Sequence, residues 1–222
     1  MSTINHAVIA SRLTAERLRS YTASAHDLPG AIRLYDWNTA ISGAFHEDLG
    51  RLEVVFRNAL DTALVRHATA RNWPTTWYRR SQLFPGKPGR RPLAVVAEAR
   101  QRATRGGLPE LHGKVIAELP FGFWRYLCKG AYLTSLWVPA LAAAFPLHPT
   151  SNDARSVRHD VDDRIQRLHY LRNRIAHHEP IHQRDLRRDH EQLLELTGWI
   201  CSDSHAWMVE VTRTAGVLGR RA

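Results

Sequence analysis

Along most of the chain apolar residues recur at three- and four-residue steps, the period of an amphipathic helix, and no segment keeps a two-residue alternation. The pattern is clearest from residue 34 to about residue 68. There Leu34, Trp37, Ile41, Phe45, Leu49, Leu52, Val55 and Leu60 form an apolar stripe with no proline in its path. This predicts the longest helix. A shorter one is expected over 9–20, with Ser11 and Thr14 near its start and Leu13 and Leu18 on its apolar side, ended by HDLPG at 26–30. Residues 72–92 carry four prolines, two glycines, four arginines and clustered aromatics, and read as a surface loop. Helix resumes over 93–103 and stops at Arg105-Gly106-Gly107, and a short piece over 115–119 precedes Pro120 and FGFWRYL at 121–127. Residues 131–144 read as helix with a kink at Pro139. Asn152 or Asp153 is the expected N-cap of a helix carrying Val157, Val161, Ile165, Leu168, Leu171 and Ile175 towards Pro180. Two further helices follow, over 185–200 and 204–218. The fold class is all-α, a helical bundle with additional N-terminal helices: an extension over 1–30 and one main domain over 31–222.

Composition narrows the function classes. With 44% hydrophobic and 23% charged residues, the 222-residue chain has the make-up of a globular domain able to bury one core. No apolar run reaches the roughly 20 residues of a membrane span, and the first residues lack a secretory signal's basic-then-apolar order. A cytoplasmic protein without membrane association is expected. Cys128 and Cys201 lie far apart with no metal-ligand pattern; two buried thiols are favoured over a disulfide. The net charge is +10, with nearly all cations arginine, whose planar fork suits phosphate. Such a balance favours a polyanionic partner, although an arginine-rich surface alone also explains it.

The candidate chemistry lies in LRNRIAHHEPI at 171–181. Arg172 and His177 are five residues apart, a spacing also met at Arg164 and His169. Inside a regular helix such a pair stands about 140° apart and cannot converge on one phosphate. After Arg172, however, Pro180 must stop the helix, so His177 and His178 lie in its last turn, where the chain can re-aim them. A helix C-terminus also favours positive charge. Histidine moves protons near neutral pH, arginine stabilises charge growing on phosphate oxygens, and an RNA 2′-hydroxyl can serve as nucleophile. Metal-free RNA cleavage therefore needs no more than these groups. A histidine pair that only caps the helix carbonyls is the structural alternative.

The same stretch resembles the signature of Abi-like abortive-infection proteins (the AbiD/AbiF-type group) of the HEPN superfamily. LYDWNTAISGAFHEDLGRLEVVFRNALDTAL at 34–64 is similar to that family's N-terminal core helix. ELPFGFWRYL at 118–127 and LWVPALAAAF at 136–145 are similar to its central block. With 165–182 these segments cover roughly a third of the chain, in the family's order. The resemblance implies a HEPN-type bundle and a metal-independent endoribonuclease in phage defence or acting as a toxin. The family's pattern, arginine and a polar residue followed four to six residues later by histidine, falls on Arg172, Asn173 and His177, with His178 also within the permitted spacing. It further implies a homodimer whose two motifs form one composite site, no cofactor, and a possible RNA or protein antitoxin. A non-catalytic RNA-binding or sensor module, and an antitoxin-regulated interaction protein, are the rival readings.

Weaker candidates surround the motif. Glu53, Arg57 and Asn58 fall in the first matched block; the four-residue step from Glu53 to Arg57 suits an ion pair, and Glu53 or Asn58 is a candidate for orienting Arg172 or the histidines. Arg174, with Trp73, Trp77, Arg79, Arg80, Arg90 and Arg91 around the 72–92 loop, forms an expected RNA-contact set, with Tyr78 beside it. Phe121, Phe123, Trp124 and Tyr126 are either core or a base-stacking platform. His177, His178, Glu179 and His182 offer zinc-type ligands, but Pro180 breaks the turn that would gather them, and no metal site is expected.

Overall fold

The computed structural model describes residues 4–221, apart from the side chains of residues 86–90. Its described residues form helices and helical turns with no strand: α1 (His6–Leu13), α2 (Ala15–Thr22), α3 (Leu28–Ala70), α4 (Gly86–Ala103), α5 (His112–Glu118), α6 (Phe121–Leu127), α7 (Ala154–Ala176), α8 (Leu186–Ile200), α9 (Ser202–Val211) and α10 (Thr214–Leu218). None of the described helices is long and apolar enough to cross a membrane.

The organising element is α3. Its stripe of Trp37, Ile41, Phe45, Leu49, Leu52, Phe56 and Leu60 is buried along the core, against α7, α8 and the 3-10 turn at Leu141–Ala144. Two polar residues interrupt that stripe, and both are satisfied. Asn38 sits between Leu34 and Ile41, and its carbonyl oxygen accepts backbone hydrogen bonds from Ile181 and His182. Asp48 accepts from Thr214 Oγ1 at 2.7 Å and pairs with Arg51 at 3.0 Å, fastening the C-terminal segment to the bundle.

The prolines act differently from the expectation at three places. HDLPG does not end α2, which stops at Thr22, but opens the next helix: Pro29 stands in the first turn of α3, where its missing N–H costs nothing, and Asp27 caps that turn through Gly30 N. The division at residue 30 therefore falls within α3. The single helix expected over 9–20 is two, separated at Thr14 (φ 71°), whose hydroxyl caps α2. Beyond them Leu18, Tyr21 and Ala31 form a small separate apolar cluster. Residues 131–144 are not a kinked helix: a 3-10 turn, a π-helical turn at Leu133–Trp137 and a second 3-10 turn replace it. The Val138 N–H reaches five residues back to Leu133 O immediately before Pro139, which has no donor to continue the ladder.

The 72–92 segment is the largest correction. Only its first part is loop; α4 begins at Gly86 and runs through Pro92. Trp77 and Tyr78 are fully buried, not exposed. Trp77 Nε1 donates to Asp61 on α3 at 2.6 Å, and its ring packs on Phe84, Phe123 and Trp124. Phe121, Phe123 and Trp124 are likewise core. Residues 204–218, expected as one helix, are split between α9 and α10 at Thr212–Arg213. Both cysteines are free; Cys128 is buried as expected, whereas Cys201 is half-buried.

Candidate active site

Helix α7 positions the motif. Val157, Val161, Ile165, Leu168, Leu171 and Ile175 form its buried face, Asp153 caps its start, and it ends at Ala176 with His177 as C-cap. The stop is a Schellman closure: Glu179 N donates to Arg174 O at 2.8 Å and His178 N to Ile175 O at 3.0 Å. The residue placed in the left-handed conformation that this closure requires is His178, at φ 55°, where glycine is the usual occupant. Pro180 then directs the chain inward. Ile181 is fully buried, Ile181 N and His182 N donate to Asn38 Oδ1 at 2.8 and 3.1 Å, and the His182 ring stacks on Tyr21 at 4.7 Å. A turn anchored at both ends presents His177 and His178 to solvent.

Arg174 belongs to that anchor. Its Nε donates to Pro180 O at 3.2 Å and its Nη1 pairs with Glu179 at 3.2 Å, so it ties the outgoing chain to the helix it left. Arg172 is half-buried and, among the described residues, forms no hydrogen bond or ion pair. No hydrogen bond joins it to His177 or His178 within the protomer. Asn173 borders an open cleft beside His169 and Tyr170.

The spacing control behaves as the helical geometry requires. Arg164 reaches Glu195 on α8 at 2.8 Å and stacks over Trp199, while His169 turns towards α6 and packs on Phe121. Yet His169 itself is a group that the five-residue spacing hides. Three residues before Arg172 and four before Asn173, it lies on their side of the helix. Burial, then the charges of Arg125 and Arg172, hold its pKa below the ordinary 6.5. Its neutral form is favoured by that burial and by the two guanidiniums. The steps between His169, Arg172 and Asn173 were the available signal; Arg125, in the FGFWRYL block, gave none.

The remaining candidates separate. Glu53 and Arg57 form no ion pair; Arg57 Nε is buried without a partner, so the four-residue spacing did not bring the pair together. Neither they nor Asn58 hydrogen-bond to Arg172 or to either histidine, and Asn58 borders a different cleft, against Ala143, Pro146 and Ile200. Of the loop set, Trp77 is core. Trp73 is half-buried between Arg71 and Arg80, whose guanidinium lies 3.8 Å from the ring centre, and Arg79 pairs with Glu110 at 2.8 Å. Arg91 is exposed and faces the Tyr126 ring; the side chain of Arg90 lies outside the described residues. His177, His178, Glu179 and His182 do not gather, and among the described residues no group of three or more such ligands could hold a metal ion.

Compared with known protein families, curated proteins and solved structures, the chain finds no match.

Proposed function

We propose that this chain is a metal-independent endoribonuclease of HEPN type, acting in phage defence or as a toxin, and working as a homodimer. The observation that carries the reading is the presentation of the motif: a Schellman turn and the Asn38 anchor hold His177 and His178 out from the end of α7, while the unpaired Arg172 guanidinium sits one turn earlier. Arg172 binds the scissile phosphate and stabilises its developing charge. A histidine accepts the 2′-hydroxyl proton as that oxygen attacks the adjacent phosphorus; the bond to the 5′ oxygen breaks, and that oxygen takes a proton from a second imidazolium. His177 is the first candidate for either role and His178 its stand-in, with Asn173 positioning the 2′-hydroxyl. Arg172 and His177 of one protomer share no hydrogen bond, in keeping with a composite site completed by a second copy.

That same lack of a hydrogen bond favours the rival reading, a non-catalytic RNA-binding module. Expression in bacteria separates them. The enzyme reading expects wild-type chain to arrest growth and degrade cellular RNA, and Arg172→Ala or His177→Ala to abolish both while remaining folded and dimeric. Growth arrest undiminished in the Arg172→Ala/His177→Ala double variant overturns it.

A further inference from the structure

Two clefts meet beside the motif, and the motif explains neither. The larger, about 580 Å³, lies along α7 and the start of α8. The smaller, about 250 Å³, lies between α4 and α6 and is bordered by Arg91, Tyr126 and Lys129. Arg125 and His169 border both, so the two clefts adjoin at these side chains and together make up a trough.

Its charges are unevenly matched. The smaller cleft is bordered by Arg91, Arg125 and Lys129 and by no carboxylate. In the larger, Asp163 and Asp185 stand against Arg125, Arg167, Arg184 and Arg188, and Arg167 and Arg184 share the buried Asp189 behind them. Arg125 has no such partner. Its Nε is buried without a hydrogen bond and it forms no ion pair; the neighbouring carboxylate, Asp162, pairs with Arg158 at 3.3 Å through Oδ2, and its Oδ1 has no hydrogen-bond partner. A half-buried guanidinium that borders both clefts and has no ion-pair partner of its own can take a phosphate through the fork geometry arginine favours. Aromatic rings lie to either side. Tyr126 is flanked by Arg91 at 5.7 Å and Lys129 at 5.0 Å, and Tyr170, 54% exposed, by Arg174 at 5.8 Å and Arg184 at 5.3 Å. Cations tracking a groove with an aromatic face beside it match single-stranded nucleic acid better than an acidic peptide, which has no bases to stack.

We infer that this trough holds the backbone of a single-stranded RNA, with Arg125 taking a phosphate at its centre, Arg91 and Lys129 the next one towards α4, and Tyr170 stacking a base at the other end. The inference rests on RNA being the ligand, as in the proposed function, but it concerns binding and not cutting.

The test is fluorescence anisotropy with a short labelled oligouridylate whose 2′ positions are methylated, so that it cannot be cleaved by 2′ attack. Arg125→Gln/Lys129→Gln should weaken binding by about tenfold or more and flatten the slope of log Kd against log salt by about 0.7 to 1.4, one phosphate at roughly 0.7 lost at Arg125 and a second left to Arg91 alone. Arg12→Gln/Arg105→Gln removes the same charge from exposed positions away from the trough and should weaken binding less than threefold. Tyr170→Ala, at an exposed position that should not affect folding, should weaken it severalfold, and Arg125→Lys should restore most of the affinity. Equal losses in the trough and control variants would overturn the inference, as would oligoglutamate competing as well as the RNA. Tight, Arg125-dependent binding by a chain that leaves unmodified RNA intact supports the trough and removes the endoribonuclease reading. Cutting that persists with Arg125-independent binding does the reverse.

Discussion

At the scale of single residues, His178 is the position where structure and chemistry diverge most. A side chain at positive φ is strained by about 1 kcal/mol or more relative to glycine, and the Schellman closure needs that conformation whatever residue occupies it. His178→Gly should therefore raise stability by about 0.5–1 kcal/mol, measured by urea denaturation; if it also leaves RNA cutting intact, His177 is the acting histidine. A stability loss in His178→Gly would contradict the strain. Asn38 works in the opposite direction. Asn38→Ala leaves two buried N–H groups at Ile181 and His182 without an acceptor, an expected cost of about 2–3 kcal/mol, with the turn bearing His177 loosened. Unchanged stability in that variant would show the anchor to be unimportant. Asn38 and Asp48 were open to detection in the sequence, since each occupies a place in the apolar stripe of α3 where a polar residue needs a buried partner. Ile181 and His182, which bind Asn38, and Thr214, which binds Asp48, were not, because these lie more than 140 residues away.

At the scale of elements, the long periodic helices were legible and the proline-rich pieces were not. The apolar stripes of α3 and α7 and the stop before Pro180 follow from side-chain period and backbone chemistry alone. Residues 72–92 misled because proline was taken as a loop marker, whereas Pro88 falls in the first turn of α4 and Pro92 inside it. Trp77 and Tyr78 misled because local company, arginines and prolines, says nothing about what packs from elsewhere; Asp61 and Phe123 supply that environment. The place of His177 and His178 at the end of α7 was legible, while the meeting of His169 with Arg125 required the packing of α6 on α7. The link between α7 and α8 offers a test at this scale. Asp189 is fully buried and receives both Arg167 and Arg184. Asp189→Ala should destabilise by about 1.5–3 kcal/mol, the range for hydrogen bonds to charged groups, the arginines' access to water keeping the loss below that of a fully buried pair. A loss under 0.5 kcal/mol would mean that solvent replaces the carboxylate.

At the scale of the whole molecule, several histidines couple the fold to pH. Burial lowers the pKa of His169, His182 and His190 below the ordinary 6.5, outweighing Asp48 and Glu191 near His190. The unfolded chain therefore binds more protons than the folded one as pH falls through 6.5, so this stability is complete above about pH 7.5 and is lost towards the folded pKa values. The half-buried Asp162 carboxyl, raised by burial, opposes the trend only at lower pH. The melting temperature should fall by a few degrees between pH 7.5 and 5.5; a flat profile would contradict the assigned burial. The net charge of +10 gives the same molecule a long-range attraction for polyanions, which the proposed trough at Arg125 would convert into a defined path past Asn173. The central claim, metal-free cutting of RNA at 171–181, is tested most directly by incubating purified chain with labelled RNA in EDTA and identifying the new ends. Cutting that leaves 2′,3′-cyclic phosphate and 5′-hydroxyl ends and vanishes in Arg172→Ala is the expected result. Cutting that requires added metal and leaves 3′-hydroxyl ends would contradict it.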